Sequence, residues 1–342
     1  MTGNASGGAP HLSPLPFRLS LATVFAVLSL SLLSFSPSSF AQDYSPIERS
    51  LLAATDTDAA DPQGGLNWSS NPSYPSGWTG ISWYDIDSDG VLRVIEIDVK
   101  DLQLAGSLFL SGFEYLSLLS ASGNQLTGVV VDSDPFLYHL ELFDNLLTTL
   151  NMTEAPALEY LDASFNDLVA LNVTNNPELK TLNLNKNNLA TIDVSHNLKL
   201  TDLSADDNYL SELNVRNNIL LERLSVQNNY IASIDVSENA NLKTLTVWSN
   251  LLMTIDISEN ILLEYLDVDE NNLAELNVGS NVNLTELYAN GNGLLELDVS
   301  ANSDLETLSI RDNALASLES ISLSSRAPRG MSRNIPCQTC GP

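Results

Sequence analysis

A leucine, or an isoleucine in its place, recurs every 21 residues from Leu150 through Leu171, Ile192, Leu213, Ile234, Ile255, Leu276 and Leu297 to Leu318. An asparagine keeps the same interval over Asn124, Asn145, Asn166, Asn187, Asn208, Asn229, Asn250, Asn271, Asn292 and Asn313. A second asparagine column runs through Asn176, Asn197, Asn218, Asn239, Asn260, Asn281 and Asn302. A unit this short cannot bury its apolar face alone, so neighbouring units must stack and share one core. Eleven units start at Val94, Leu116, Leu137, Leu158, Leu179, Leu200, Leu221, Leu242, Leu263, Leu284 and Leu305.

Within a unit, Leu182-Asn183-Leu184 alternates apolar and polar with period two, which predicts a short strand whose leucines point into the core. Ile192-Asp193-Val194, Ile234-Asp235-Val236 and Ile255-Asp256-Ile257 alternate in the same way and predict a second extended segment on the other side of the coil. The linking residues show no helical periodicity. At a strand spacing of ~4.8 Å per coil, the array is on the order of 50 Å long. The asparagine amides are expected at the two bends, satisfying backbone groups that the turns leave unpaired.

The unit at 179–199, LKTLNLNKNNLATIDVSHNLK, contains L-x-x-L-x-L-x-x-N-x-L, the leucine-rich repeat signature. The L-D-V-S-x-N repeats resemble those of secreted bacterial leucine-rich repeat proteins, including the internalin-like surface proteins, over residues 46–318. The expected fold is therefore a β-rich solenoid. It is a right-handed array with a parallel sheet on one face and short extended segments on the other. The stretch before it resembles the N-terminal cap of plant-type and bacterial members. A short helix at 50–55, Asn67-Trp68, Trp78-Thr79-Gly80-Ile81 and a turn at 87–90 lead into the first repeat. The family cap commonly carries a cysteine pair; here Trp83 stands where a cysteine is expected, so no disulfide staples this cap.

Four segments follow: a signal peptide at 1–41, the cap at 42–93, the solenoid at 94–318 and a disordered tail at 319–342. The first rests on Arg18, the apolar run at 19–35 and the small residues around Ala41, and it predicts an exported chain, secreted or held at the cell surface. No second apolar run follows it, so no membrane span is expected after cleavage. Cys337 and Cys340 are the only cysteines, and a lone C-x-x-C lacks the further ligands of a zinc site. The net charge of −29 argues against nucleic acid and anionic membranes as partners.

Asp85, Asp87, Asp89, Gly90 and Glu96 match the spacing of an EF-hand loop, but the first repeat strand follows where a helix is required. Two readings remain: a turn that delivers the chain into the first coil, or a weak calcium site made by Asp85, Asp87 and Asp89 without Glu96. No other cofactor is implied. His139 and His196 fall in different registers, and no nucleophile–base set, metal cluster or phosphate loop can be assembled, so no enzymatic activity is expected.

The outward columns of the main sheet, at Tyr160, Asp162, Ser164 and Phe165, vary while the core does not. Along them lie the candidate ligand-binding residues Tyr160, Phe165, Asp202, Arg223, Trp248, Tyr265, Asp267, Asp269 and Tyr288. Aromatics interleaved with acids suit a protein or glycan ligand, through apolar contact and hydrogen bonding respectively. The expected function is recognition through the sheet face. The alternative is a structural surface protein that self-assembles through an uncapped C-terminal coil.

Overall fold

The computed structural model describes residues 43–44, 80–89, 91–110, 113–130, 135–317, 321–323 and 332–334. A 14-stranded sheet dominates it, parallel except where Ile81–Tyr84 runs against Val91–Asp98. After Val91–Asp98 come Leu118–Ser120 and His139–Glu141, and from Tyr160–Asp162 to Glu286–Tyr288 a three-residue strand recurs every 21 residues. The pairing is in register: Leu182 lies beside Leu203, and Leu203 beside Leu224. Residues 21 apart in sequence are therefore lateral neighbours in space. The described residues form about ten turns of a β-solenoid and contain no helix.

The middle leucine of each strand points inward and joins one core that runs unbroken from Val94 to Ile310. Each buried leucine stabilises the fold by about 1.5–3 kcal/mol. Truncating one in mid-array, such as Leu224, costs about 2–5 kcal/mol because both neighbouring coils hold the cavity open.

On the far side, Ile192 and Val194 are buried and Asp193 is exposed, the alternation the sequence predicts. Among the described residues, strand pairing there is confined to the two ends, where Ala105–Phe109 meets Gln125–Val130 and Leu297–Val299 meets Ile321–Leu323, with a single bridge at Asn151–Asn172 between them. Elsewhere the aspartate curls onto the chain ahead of it. Asp193 Oδ1 accepts the N–H of Ser195 at 2.9 Å, and Asp235 Oδ1 that of Ser237 at 3.1 Å. The serine hydroxyl and N–H hold both carboxyls below the usual range. The D-V-S triplet is thus a turn-former.

The two asparagine columns occupy the bends. Asn229 Nδ2 donates to the carbonyls of Ala205, Val226 and Gln227 at 2.9, 3.1 and 3.0 Å, while its Oδ1 accepts Leu210 N–H at 2.9 Å. In the second column, Asn218 Nδ2 donates to the carbonyls of Val194 and Asn197 at 3.0 and 2.9 Å, but its buried Oδ1 meets no donor among the described residues. The first column ties coils through both halves of the amide, the second through one.

Leaving the sheet, each coil from Gly123 to Asp312 passes through one residue of left-handed backbone, with φ from 49° at Glu270 to 68° at Gly123, and Phe165 is one of them. At the N-terminal end, Gly80 has φ 71°, and a Cβ there would lie 1.8 Å from the Asp98 carbonyl oxygen, so only glycine lets the first strand return so close. The leucine pattern stops at Leu318, yet Ile321–Leu323 continues the far side and Ser332–Asn334 pairs with Thr307–Ser309 on the main sheet. Residues 1–41, the expected cap helix, Asn67-Trp68, Cys337 and Cys340 lie outside the described residues.

Candidate functional site

In-register pairing converts each sequence column into a row of adjacent side chains, so the chemistry of a sheet-face residue depends on the residue 21 positions away. Where three strands, Thr244–Thr246, Tyr265–Asp267 and Glu286–Tyr288, lie side by side, Tyr265 and Tyr288 meet with ring centroids 5.6 Å apart at 39°. The Tyr288 hydroxyl donates to Glu286 Oε2 at 2.8 Å. Asp267, the in-register neighbour of Tyr288, and Asp269 are half-buried beside them. Burial, with the like charge of Asp269, pushes the Asp267 carboxyl up to about 6, although the N–H of Asp269 donates to its Oδ1 at 3.1 Å. Burial, then the carboxylate of Asp267, pushes the Tyr265 hydroxyl up to about 12. Among the described residues no ion pair reaches Asp267, Asp269 or Glu286.

The remaining candidates are arranged differently. Trp248, one coil before Asp269, donates its indole N–H to Gln227 Oε1. Tyr160 stacks on His139 at 4.3 Å and 5°, and His139 bonds Glu141 at 3.0 Å. Phe165 carries the Lys186 ammonium 4.4 Å from its ring centre. Asp202 and Arg223 form an exposed pair, with Nε donating to Oδ1 at 2.5 Å. The structure therefore gathers Tyr265, Asp267, Asp269 and Tyr288, adds Trp248 at their edge, and leaves Tyr160, Phe165 and the Asp202–Arg223 pair as separate features.

One expectation needs correcting. The Ser164 column was expected to face solvent, free of the repeat's own demands, but Ser164 and Asp206 are buried. Its side chains hold the next coil's backbone: Asn185 Oδ1 accepts Asp206 N–H at 2.7 Å, Asp206 Oδ1 accepts Gln227 N–H at 3.0 Å, and Asp269 Oδ1 accepts Asn290 N–H at 2.6 Å. Asp269 Oδ2 also takes the Asn290 side-chain amide at 2.7 Å. The cause is the left-handed turn just after this column, which leaves these N–H groups facing the preceding coil. Gln227 and Asn290 are not marked by the sequence pattern, although both are 21-residue neighbours of candidate residues, Trp248 and Asp269.

At the N-terminal turn, Asp89 accepts both guanidinium nitrogens of Arg93, at 3.1 and 2.7 Å, and Asp87 Oδ2 lies 3.6 Å from Arg93 and accepts the Tyr115 hydroxyl at 3.1 Å. Asp85 Oδ1 accepts Asp89 N–H at 3.1 Å. The bond from Arg93 holds the Asp89 carboxyl down at about 2. Among the described residues no three histidine, cysteine, aspartate or glutamate side chains are grouped to hold a metal. The three candidate calcium ligands are thus engaged in shaping the turn and in binding an arginine on the returning strand.

The chain resembles the functional domain of InlJ from Listeria monocytogenes, with 30% identity over 67% of this chain and 53% of that one, at a TM-score of 0.61. The chain is a leucine-rich repeat protein, internalin-like in its repeats. This solenoid is also similar to the Arabidopsis receptor kinase HAESA, solved with the peptide hormone IDA and the co-receptor SERK1, at 25% identity over 78% of this chain and 49% of that one, TM-score 0.61. The ectodomain of Arabidopsis GASSHO1/SCHENGEN3, solved with CASPARIAN STRIP INTEGRITY FACTOR 2, shares the fold at 24% identity, covering 80% and 36%, with TM-score 0.68. The leucine-rich repeat chain spans about half the length of the InlJ domain it matches. No protein-family model matches it. No curated protein matches it either.

Proposed function

We propose that this protein is an exported recognition module that binds a protein ligand across its parallel-sheet face. A cationic segment of the ligand lies against Tyr265, Asp267, Asp269 and Tyr288. The observation that carries this reading is Asp267: a half-buried carboxylate, pushed up to about 6 by burial, beside a tyrosine pair and with no cation in reach among the described residues. An uncompensated charge held in a packed position disfavours the free protein and is relieved by an incoming positive group, whose alkyl or guanidinium portion can lie on the rings. Support for a protein ligand comes from HAESA, a structural neighbour solved with a peptide hormone. Support for an extracytoplasmic location comes from the apolar run behind Arg18. Among the described residues no helix is long and apolar enough to cross a membrane.

The test is a binding screen of the full chain against basic, neutral and acidic peptides and neutral oligosaccharides. Basic peptides should be retained, less so as salt rises, and Tyr265→Ala should lose them. Retention of oligosaccharides with no salt dependence would move the site to the glycan class. Retention untouched by Tyr265→Ala and Asp267→Asn would remove the sheet face from consideration.

A further inference from the structure

The bend leading into each sheet strand leaves one side chain outside, directly after the second asparagine. In five successive coils it is Leu198, Ile219, Ala240, Ile261 and Val282. The residue after it is Leu220 in the second of these coils and Leu262 in the fourth. The large members are exposed, from 39% at Leu262 to 55% at Leu198. They form a continuous apolar stripe about 20 Å long at ~4.8 Å per coil, sharing no residue with the sheet-face site. Core packing does not require these side chains, and a soluble chain has reason to avoid lining them up.

The stripe reads the same in both directions: large, large, small, large, large, with the extra leucines also placed symmetrically about Ala240. Its flanking charges are not symmetric. Arg216 stands in the coil of Ile219, and Glu259 in the coil of Ile261. Turning a second copy end over end about an axis at Ala240 sets Leu198 on Val282 and Ile219 on Ile261. It also sets Arg216 against Glu259 of the partner subunit, twice. Arg216 already has two acids of its own chain in reach, Asp235 at 3.4 Å and Glu238, the acid nearest the axis, at 4.0 Å, both solvent-exposed pairs that leave its guanidinium open to a further carboxylate. We propose that this stripe is a two-fold homodimer face that seats a second, antiparallel copy of the chain. Such a pairing is isologous, the arrangement that a self-complementary patch produces. It leaves the parallel-sheet face open, so a dimer presents two ligand sites.

The experiment uses the full chain with Cys337→Ser and Cys340→Ser, which removes the native thiols. Analytical ultracentrifugation should show a reversible monomer–dimer equilibrium. Ala240→Cys should form an intermolecular disulfide on mild oxidation, because the axis brings its two copies together. Leu198→Cys should not, because its copies are four coils, ~19 Å, apart. Ile219→Lys should weaken the dimer at least tenfold, with a melting temperature equal to the parent's at dilutions where both are monomeric. Arg216→Glu and Glu259→Arg should each weaken it, and the double variant should recover it. A monomer up to about 100 μM, or a dimer that Leu198→Cys links as readily as Ala240→Cys, would overturn the proposal. Neither result bears on peptide retention by the sheet face, which is read separately.

Discussion

The tetrapeptide Glu-Tyr-Leu-Asp occurs twice, at 159–162 and at 264–267, in the same register of two coils of one sheet. Local sequence is identical, and the surroundings are not. Tyr160 stacks face to face on His139, and Asp162 accepts the N–H and hydroxyl of Ser164 at 2.9 and 2.6 Å and the Asn183 amide at 3.0 Å. Tyr265 instead meets Tyr288 at a tilt, and among the described residues Asp267 accepts only the N–H of Asp269. The first tyrosine–aspartate pair is completed by its own protein, and the second is left with unanswered charge. In a solenoid the 21-residue neighbour, rather than the flanking residue, decides which copy of a motif is available to a ligand.

The largest difference should appear in binding. Tyr265→Ala should weaken a basic peptide ligand by at least ~2 kcal/mol, since aromatic anchors carry a disproportionate share of interface energy. Tyr160→Ala should change it by less than about 0.5 kcal/mol, the ordinary effect of a surface residue outside the interface. Isothermal titration calorimetry of the two variants decides between them. Equal losses would mean that the ligand spans both copies of the motif and that the comparison has no functional content.

Stability should show the reverse order. Asp162→Ala removes the acceptor for one backbone N–H, one hydroxyl and one side-chain amide in a half-buried site, which costs about 1–3 kcal/mol. Asp267→Asn removes an ill-solvated charge while keeping an acceptor for the N–H of Asp269, and should raise the melting temperature at pH 7. If urea unfolding places both variants on the same side of the parent, the two carboxylates are equivalent after all.

How much of this was legible beforehand depends on what each inference required. The repeat interval alone implied stacking, strand register and the buried asparagines, because hydrophobic burial and backbone satisfaction leave a 21-residue unit few alternatives. The nine site candidates came from the outward columns; the Tyr160 and Asp162 columns are half-exposed along most of the sheet, whereas Ser164 and Asp206 in the third column are buried. The two roles of an outward residue were not legible there. Whether Asp269 faces a ligand or holds Asn290 depends on a left-handed turn that Asp, Phe, Lys, Ser and Glu all adopt here, so residue identity does not announce it. The calcium-like spacing at 85–96 was ambiguous for a similar reason. Arg93 reaches back onto Asp89 only because the chain reverses into an antiparallel strand, a fact of pairing that the motif does not contain.

Acid should separate the two aspartates further. The folded Asp267 carboxyl keeps its proton up to a pH of about 6, whereas an unfolded aspartate releases it near 3.9. Between those values the folded state binds more protons, so the contribution of Asp267 to stability falls as pH rises from about 4 to about 6. Glu141 runs the other way. Burial pushes it up, but the bonds from Ser120 and His139 prevail and hold it below the usual range, so its contribution is lost as pH falls. Melting curves of Asp267→Asn and Glu141→Gln, each subtracted from the parent across pH 3–7, should slope in opposite senses, by less than the loss at Asp162. Affinity for a basic peptide should also decline below about pH 6, and Asp267→Asn should flatten that decline. Parallel slopes would show that Asp267 is better solvated than its half-buried position beside Tyr288 implies.

The smallest effect tests the comparison most directly, by converting one copy of the motif into the other. Asn183 is the next-coil neighbour of Asp162 and donates its amide to Oδ2; the residue in that position for Asp267 is Tyr288. Tyr288→Asn should therefore supply the missing donor, and a hydrogen bond to the ionised form lowers a carboxyl pKa. It removes apolar cover as well, so the two contributions to stability nearly cancel and the net change should be within about 0.5 kcal/mol. The diagnostic readout is the titration of Asp267 followed by NMR on the side-chain carboxyl, which should move from about 6 toward the ordinary aspartate range. Basic-peptide binding should fall with it, because the charge is then answered from within and one aromatic wall is gone. A titration that stays near its original position would assign the raised value to the depth of the strand itself, and the neighbour rule drawn from the two tetrapeptides would not hold.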